Sequence, residues 1–257
     1  VNENIETQSL GEKIISTELI PFMRQRNIEW IGTRVQPRTR FYAFFDGEDV
    51  TKYCTPKLIE IEMKSGVFQV GEMVKTKNGG KKFTGIGADI RFRLAQPDHK
   101  FGKYDDPDLT YAINPYSDTD SIGSEYSATS TILNVDTGSL QQEVLGTYRG
   151  FIKKGMKLKG KTSKAEAKVT KVRLISDEKG AVLGSLFIPN ANAKSTPEFA
   201  CGENSFRISS SKVDSRAAID KASAAEAAFF SQGTLNTLQE DVLSIRTADI
   251  QQVSHSD

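Results

Sequence analysis

Residues Val1 to Leu19 are polar with little periodicity and read as an extended arm, with residues 1–13 a linker ahead of the first domain. Apolar character rises at Ile28, Trp30 and Ile31. It peaks in Arg40-Phe41-Tyr42-Ala43-Phe44-Phe45, a run of aromatic residues suited to a pleated sheet. Asp46-Gly47 follows directly, and this pair predicts a hairpin turn because glycine tolerates positive φ there. Ile59, Ile61 and Met63 alternate with Glu60 and Glu62, the period-two signature of a half-buried strand. From Lys64 to about Leu140 turn dipeptides dominate: Asn78-Gly79-Gly80, Pro97-Asp98, Asp105-Asp106-Pro107-Asp108 and Asn114-Pro115. Short strand candidates lie between them at Ile90–Leu94 and Thr129–Val135.

Alternation returns after Tyr148. Lys157 to Gly160, Ala165 to Val169, Val172 to Leu174, Val182 to Ile188 and Phe206 to Ile208 all read as strands. Asp177-Glu178-Lys179-Gly180 is a turn between two of them. The last segment has a different look. Ala217 to Phe230 is rich in alanine, the best helix former. Beyond Gly233, Leu235, Leu238, Val242 and Ile245 recur at helical spacing. A short C-terminal helical segment is therefore predicted over 211–257, its stripe offering either an oligomer seam or a face packed on its own domain.

The 257 residues allow one large or two to three small domains. With 34 basic and 33 acidic residues the net charge is +1, so binding to a polyanion needs a local patch. No apolar run is long enough to span a bilayer, and no signal peptide is evident. Val1 stands where a methionine would start a chain, so a fragment, a processed product or a domain of a longer protein is expected. Cys54 and Cys201 are far apart and expected to be free thiols; His99 and His255 are isolated.

Recognisable catalytic patterns are missing. There is no GxxxxGK[ST] loop and no GxSxG elbow, and Gly85-Ile86-Gly87 lacks a third glycine. Asp105, Asp106 and Asp108 form the densest acidic cluster, read as a solvated turn because the twelve-residue calcium-loop pattern is absent. The expectation is a non-enzymatic chain with no metal and no cofactor. The sharpest charge signal is the run Lys153, Lys154, Lys157, Lys159, Lys161, Lys164, Lys168 and Lys171, opposed within it only by Glu166. Such lysines mark a solvated face or guard a sheet edge. Functionally, Lys153 to Lys164 would be a docking patch for an acidic neighbour or an anionic host-surface glycan. Nucleic acid fits less well, since no aromatic residues stand among these lysines to stack bases.

Several blocks occur in one order across the chain: Pro21-Phe22-Met23-Arg24-Gln25-Arg26-Asn27-Ile28, Pro37 to Val50 around Phe41-Tyr42-Ala43-Phe44-Phe45-Asp46-Gly47, and Tyr126 to Asp136. Then come Gly155 to Ser163, Arg173 to Asp177, Gly184-Ser185-Leu186-Phe187-Ile188-Pro189-Asn190, Cys201 to Ile208, and Gly233 to Glu240. Together they resemble virion structural proteins of large contractile-tailed bacteriophages, cyanophage-like, associated with tail fibre or baseplate. In that family a glycine is expected where Lys164 stands. The resemblance implies a virion component of the tail region, made in the host cytoplasm. Its partners would be other phage tail or baseplate proteins and copies of itself, a trimer being favoured, with neither nucleic acid nor membrane as partner. The alternative is a carbohydrate-binding adhesin or surface-glycan depolymerase module, with Tyr104, Tyr111 and Tyr116 as candidate platforms.

The expected fold is mainly β. An Ig-like β-sandwich is formed by 14–63 plus 172–210, with Trp30, Phe41, Phe44, Phe45, Asp46 and Gly47 as its core signature. Residues 64–171 form an inserted loop-rich β region containing a small β-barrel-like module.

Overall fold

The computed structural model describes residues 3–76, 90–117, 121–140, 149–191, 196–217, 219 and 223–248, with backbone alone at 3–13 and 238–248. The protein is mainly β, and no helix among the described residues reaches seven residues. It divides into two compact units, residues 1–21 with 232–257, and residues 22–231.

The first unit is a two-stranded antiparallel ribbon. Strand β1 (Glu3–Leu19) runs from Glu3 opposite Ala248 to Leu19 opposite Thr234, bulging at Ser9/Glu12 and Ile14/Ser16. Its partner is the last strand, Thr234–Ala248. A further ladder bond, Ile20 N to Gly233 O at 2.7 Å, closes the end of the ribbon. The predicted C-terminal helix is thus corrected to strand. Positions 235 and 245 have one parity along that strand, and 238 and 242 the other, so the helical stripe does not survive as a single seam.

Among the described residues, the second unit contains sixteen strands. In chain order they are β2 (Arg26–Gly32), β3 (Arg40–Phe45), β4 (Glu48–Asp49), β5 (Cys54–Pro56), β6 (Leu58–Ser65), β7 (Met73–Thr76), β8 (Arg91–Arg93), β9 (His99–Lys103) and β10 (Asp106–Thr110). They continue with β11 (Ile132–Asn134), β12 (Lys157–Gly160), β13 (Glu166–Lys171), β14 (Leu174–Ile175), β15 (Val182–Ile188), β16 (Gly202–Ser209) and β17 (Ala224–Ser231), which makes the ribbon's second strand β18. One sheet has the order β2-β15-β5 and a second β14-β3-β16-β17. The third, β11-β6-β13-β12-β7-β8, curls into a half-barrel. Its end strands are tied by a bridge at Leu94 and Val135, by Ala95 N to Asn134 O and by Asp136 N to Arg93 O, both 3.0 Å.

Two large apolar clusters fill this unit, with a small third one of Leu58, Tyr111 and Ile132. The β2 and β3 sheets share one, in which Phe41, Ala43 and Phe45 meet Leu186, Ile188 and Ile208. Phe45 packs edge-on to Phe199 at 4.8 Å between ring centroids. Phe44, on the other face of β3, is also buried, and Trp30 lies half-covered 5.1 Å from the Phe206 ring. The curled sheet encloses the other cluster, including Ile59, Ile61, Phe92, Leu133 and Leu158. So β6, read from its alternation as a sandwich strand, packs inside the curled sheet, and the passage between the two clusters falls at Lys57.

Local chemistry sets the turns. Asp46 (φ 48°) and Gly47 (φ 81°) both occupy the left-handed region, as a two-residue hairpin loop requires, and Asp46 Oδ1 accepts Ser205 N at 2.6 Å. At Gly180 (φ 74°) a Cβ would lie 2.0 Å from Val35 O, while Asp177 Oδ1 accepts the amides of Lys179 (2.9 Å) and Ala181 (2.8 Å). Lys164, where the resemblance implies glycine, has φ 61° and donates to Lys161 O. The alanine-rich segment is the larger surprise. From Ala224 to Ser231 it pairs in register with β16, and Phe229 leans on the Phe45 ring. Alanine's helix preference is a weak prior, outweighed here by a full ladder and burial of an aromatic ring.

Replacing Phe45, 1% exposed, with alanine is expected to cost ~3–5 kcal/mol of folding free energy. Urea denaturation checks it; an unchanged midpoint contradicts the placement of this ring.

Candidate functional site

A groove of about 700 Å³ opens where the β3 sheet meets the curled sheet. Its walls carry six cationic side chains, Arg40, Lys52, Lys153, Lys154, Lys171 and Arg173, against one carboxylate, Asp49. Each arrives by a separate local device. Arg40 and Tyr42 project from the outer face of β3. The Asp49–Lys52 loop is pinned by Thr51, whose N donates to Asp49 Oδ1 (2.9 Å) and whose Oγ1 accepts Ala43 N (2.9 Å). Lys153 and Lys154 follow a segment that crosses the β2-β15-β5 sheet. Asn27 brackets it, donating to Gly150 O (2.8 Å) and accepting Gly150 N (3.0 Å), and Thr55 Oγ1 accepts Ile152 N (3.1 Å). Phe151 stacks on Phe187, so the segment is seated by an aromatic contact as well. Lys171 ends β13, and Arg173 lies in the two-residue link from β13 to β14.

Only Arg173 is compensated: Glu60 accepts from its Nε (2.8 Å) and Nη2 (2.6 Å), and this bonding raises the guanidinium's pKa further. Arg40, Lys52, Lys153, Lys154 and Lys171 have no ion-pair partner among the described residues. Burial, and then the charge of Lys52, holds the Lys153 ammonium below its ordinary pKa, the mark of two like charges facing one another. Three cations lie over rings: Arg40 over Tyr42 (5.2 Å), Lys52 over Tyr53 (4.9 Å) and Lys153 over Phe151 (4.6 Å).

The lysine run read as one patch is therefore divided. Lys153 and Lys154 enter the groove, joined by Arg40 and Lys52 from distant sequence. Lys157 and Lys159 lie on β12, where Lys159 bonds Glu166 (3.1 Å). Lys161 and Lys164 sit in the following turn. There Glu72, buried, accepts Thr162 N and Ser163 N (both 3.0 Å) and Ser163 Oγ (2.7 Å). The helical-stripe residues Leu235, Leu238, Val242 and Ile245 lie on β18 in the ribbon; Leu235 is 39% exposed.

The candidate platform tyrosines are occupied. Tyr111 is buried, Tyr116 donates to Arg173 O (2.8 Å), and Arg93 covers the Tyr104 ring at 3.6 Å. Cys54 and Cys201 are both free thiols. His255 lies outside the described residues. No group of three potential metal ligands, and no helix long and apolar enough to cross a membrane, occurs among the described residues. Glu62 and Glu226 titrate away from the usual carboxylate range and both move down. Bonding to Lys64 lowers Glu62, and Arg216 with Ser205 brings Glu226 to about 2. A glycosidase acid needs the opposite displacement.

A second polar cluster, which sequence reading left as an isolated histidine, lies buried beneath the closure of the curled sheet. Lys57 Nζ contacts His99 Nδ1 (3.1 Å) and donates to Val135 O (3.1 Å), while Asn134 donates to His99 O. Lys57 as donor requires Nδ1 unprotonated, which leaves the proton of a neutral ring on Nε2. Burial, then the Lys57 charge, brings His99 down to about 4, and burial brings Lys57 down to about 8. Both groups are nearly inaccessible, which suits structural bolts rather than reactive groups.

No family model, curated protein or solved structure matches the chain.

The buried imidazole has a measurable consequence. Its folded pKa lies below that of the unfolded chain, so the unfolded state takes up the proton first as pH falls from about 6.5 to about 4. Stability is expected to drop by ~1–3 kcal/mol through that window on account of this group. Urea denaturation at pH 7, 5.5 and 4 should show a shallower decline for His99→Gln; an equally steep one contradicts the buried, neutral ring.

Proposed function

We propose that the chain is a non-enzymatic structural component of a bacteriophage virion, in the tail, baseplate or fibre region, acting by protein–protein assembly. The observation that carries the assembly reading is the ribbon. A two-stranded antiparallel pair is marginal in water, and each outer edge offers unpaired backbone groups to another strand. Apolar side chains stand open on it: Ile14 and Ile15, adjacent in sequence, are 53% and 54% exposed, and Leu19 is 82% exposed. Ile15 is the extra residue of the bulge between Ile14 and Ser16, where the regular ladder is interrupted. Such a ribbon is stabilised when neighbouring chains complete it.

The virion assignment draws on the resemblance of the ordered blocks from Pro21 to Glu240, and with it come the tail location, the other tail or baseplate proteins as partners, and a trimer as the favoured oligomer. The finer reading of the β2 and β3 sheets as an Ig-like sandwich belongs to the same proposal, supported by their shared apolar cluster. Gold-labelled antibody against the chain should decorate the tails of the phage that encodes it; label absent from intact virions overturns the assignment.

The ribbon makes a separate prediction. The full chain should stay oligomeric by light scattering at high salt, and Ile14→Ser/Ile15→Ser/Leu19→Ser should remove that salt-resistant association. A wild-type monomer over the whole accessible concentration range contradicts the reading.

A further inference from the structure

We propose that the basic groove receives the acidic turn 104–108 of a second copy of this chain, a head-to-tail contact between copies. The turn at Tyr104 and Asp105 joins β9 to β10 and, with the first residues of β10, presents Asp105, Asp106 and Asp108, all exposed and without ion-pair partners among the described residues. It is held for presentation. Arg93 lies flat over the Tyr104 ring, Gly102 has φ 110° with the Asp108 carboxylate close by, and Tyr111 N donates to Asp98 O (2.6 Å) where β10 ends. At the base of the same hairpin Lys100 forms a buried ion pair with Asp177. A protruding carboxylate turn on a fixed base loses little freedom on docking.

The groove has the complementary features. Five of its cations lack ion-pair partners among the described residues, so an arriving carboxylate meets uncompensated positive charge. Its volume lies within the range of ~300–1,000 Å³ typical of ligand sites. Glycans and single-stranded nucleic acids are held by open ring faces on which sugars or bases stack. Here the lining holds one ring, Tyr42, and Arg40 already lies over it. That leaves carboxylates at hydrogen-bonding distance as the chemistry the groove serves best. Groove and turn are different surfaces of one chain, so the contact is heterologous, and repeating it generates a ring or an open filament. The inference rests on the assembly reading above, but not on a virion origin, and uses residues separate from the ribbon.

Sedimentation velocity on the full chain distinguishes the two contacts. A salt-sensitive association step, lost in either Lys153→Glu/Lys154→Glu or Asp105→Lys/Asp106→Lys/Asp108→Lys, is expected. The equimolar mixture of these two variants should associate again, because the intact acidic turn of the groove variant then meets the intact basic groove of the turn variant. Recovery in the mixture also shows that both variants are folded. Wild-type chain without a salt-sensitive step, variants that keep it, or a mixture that stays apart each overturn the proposal. So does tight binding of heparin, a sulfated glycan probe, that disappears in Lys153→Glu/Lys154→Glu while self-association persists. If only Ile14→Ser/Ile15→Ser/Leu19→Ser dissociates the chain, the groove contact fails and the assembly reading stands. If only the charge variants act, the ribbon fails and the groove contact stands.

Discussion

The antiparallel pairing of β6 with β13 is the contact on which the larger unit depends. The chain leaves the β2-β15-β5 sheet after β5, spends more than a hundred residues in the curled sheet and its loops, and joins the β3 sheet at β14. Such an excursion is compatible with one compact unit only if its two ends lie side by side. Lys171 opposite Glu60 and Val169 opposite Ile61 place them so, and the bidentate Arg173–Glu60 pair fastens the return. Both ends also reach into apolar surroundings: Ile59, Ile61 and Val169 lie in the cluster of the curled sheet, and Leu174 in the cluster of the β3 sheet.

The groove follows from this junction. Two sheets joined along one seam leave a crease beside it, and the residues that border the crease come from β3, the loop after β4, the segment before β12 and the end of β13. None of the cations other than Arg173 is needed to hold the seam. Their like charges make the crease costly when empty, a cost that surface exposure and salt keep modest. An arrangement that is mildly unfavourable alone and favourable when filled is what an assembly contact requires.

Reading the sequence located those features whose cause is local. Asp46-Gly47 is a turn because its dihedrals demand it, and Phe41, Ala43 and Phe45 share a face because strands have period two. Features decided at a distance were not legible. Ala224–Ser231 has helix-forming composition, yet β16 is there to pair with it and Phe45 to cover Phe229. Leu235, Leu238, Val242 and Ile245 match a helical period, but β1 draws their segment into a ladder. The lysine run was visible as a charge, while its division was not: cross-strand pairing sets Lys159 against Glu166 and Lys168 against Glu62, and only Lys153, Lys154 and Lys171 of the run reach the groove. Arg40 and Lys52 carry no local sign of belonging with them.

The central claim is that like copies meet through opposite charges. Zero-length carboxyl–amine cross-linking of a mixture of ordinary and ¹⁵N-labelled chains, read by mass spectrometry, tests it most directly. The account predicts mixed-isotope links joining Asp105, Asp106 or Asp108 of one chain to Lys153 or Lys154 of another. Links at these positions confined to single chains, or no links between these residues under conditions where the chain associates, would contradict it.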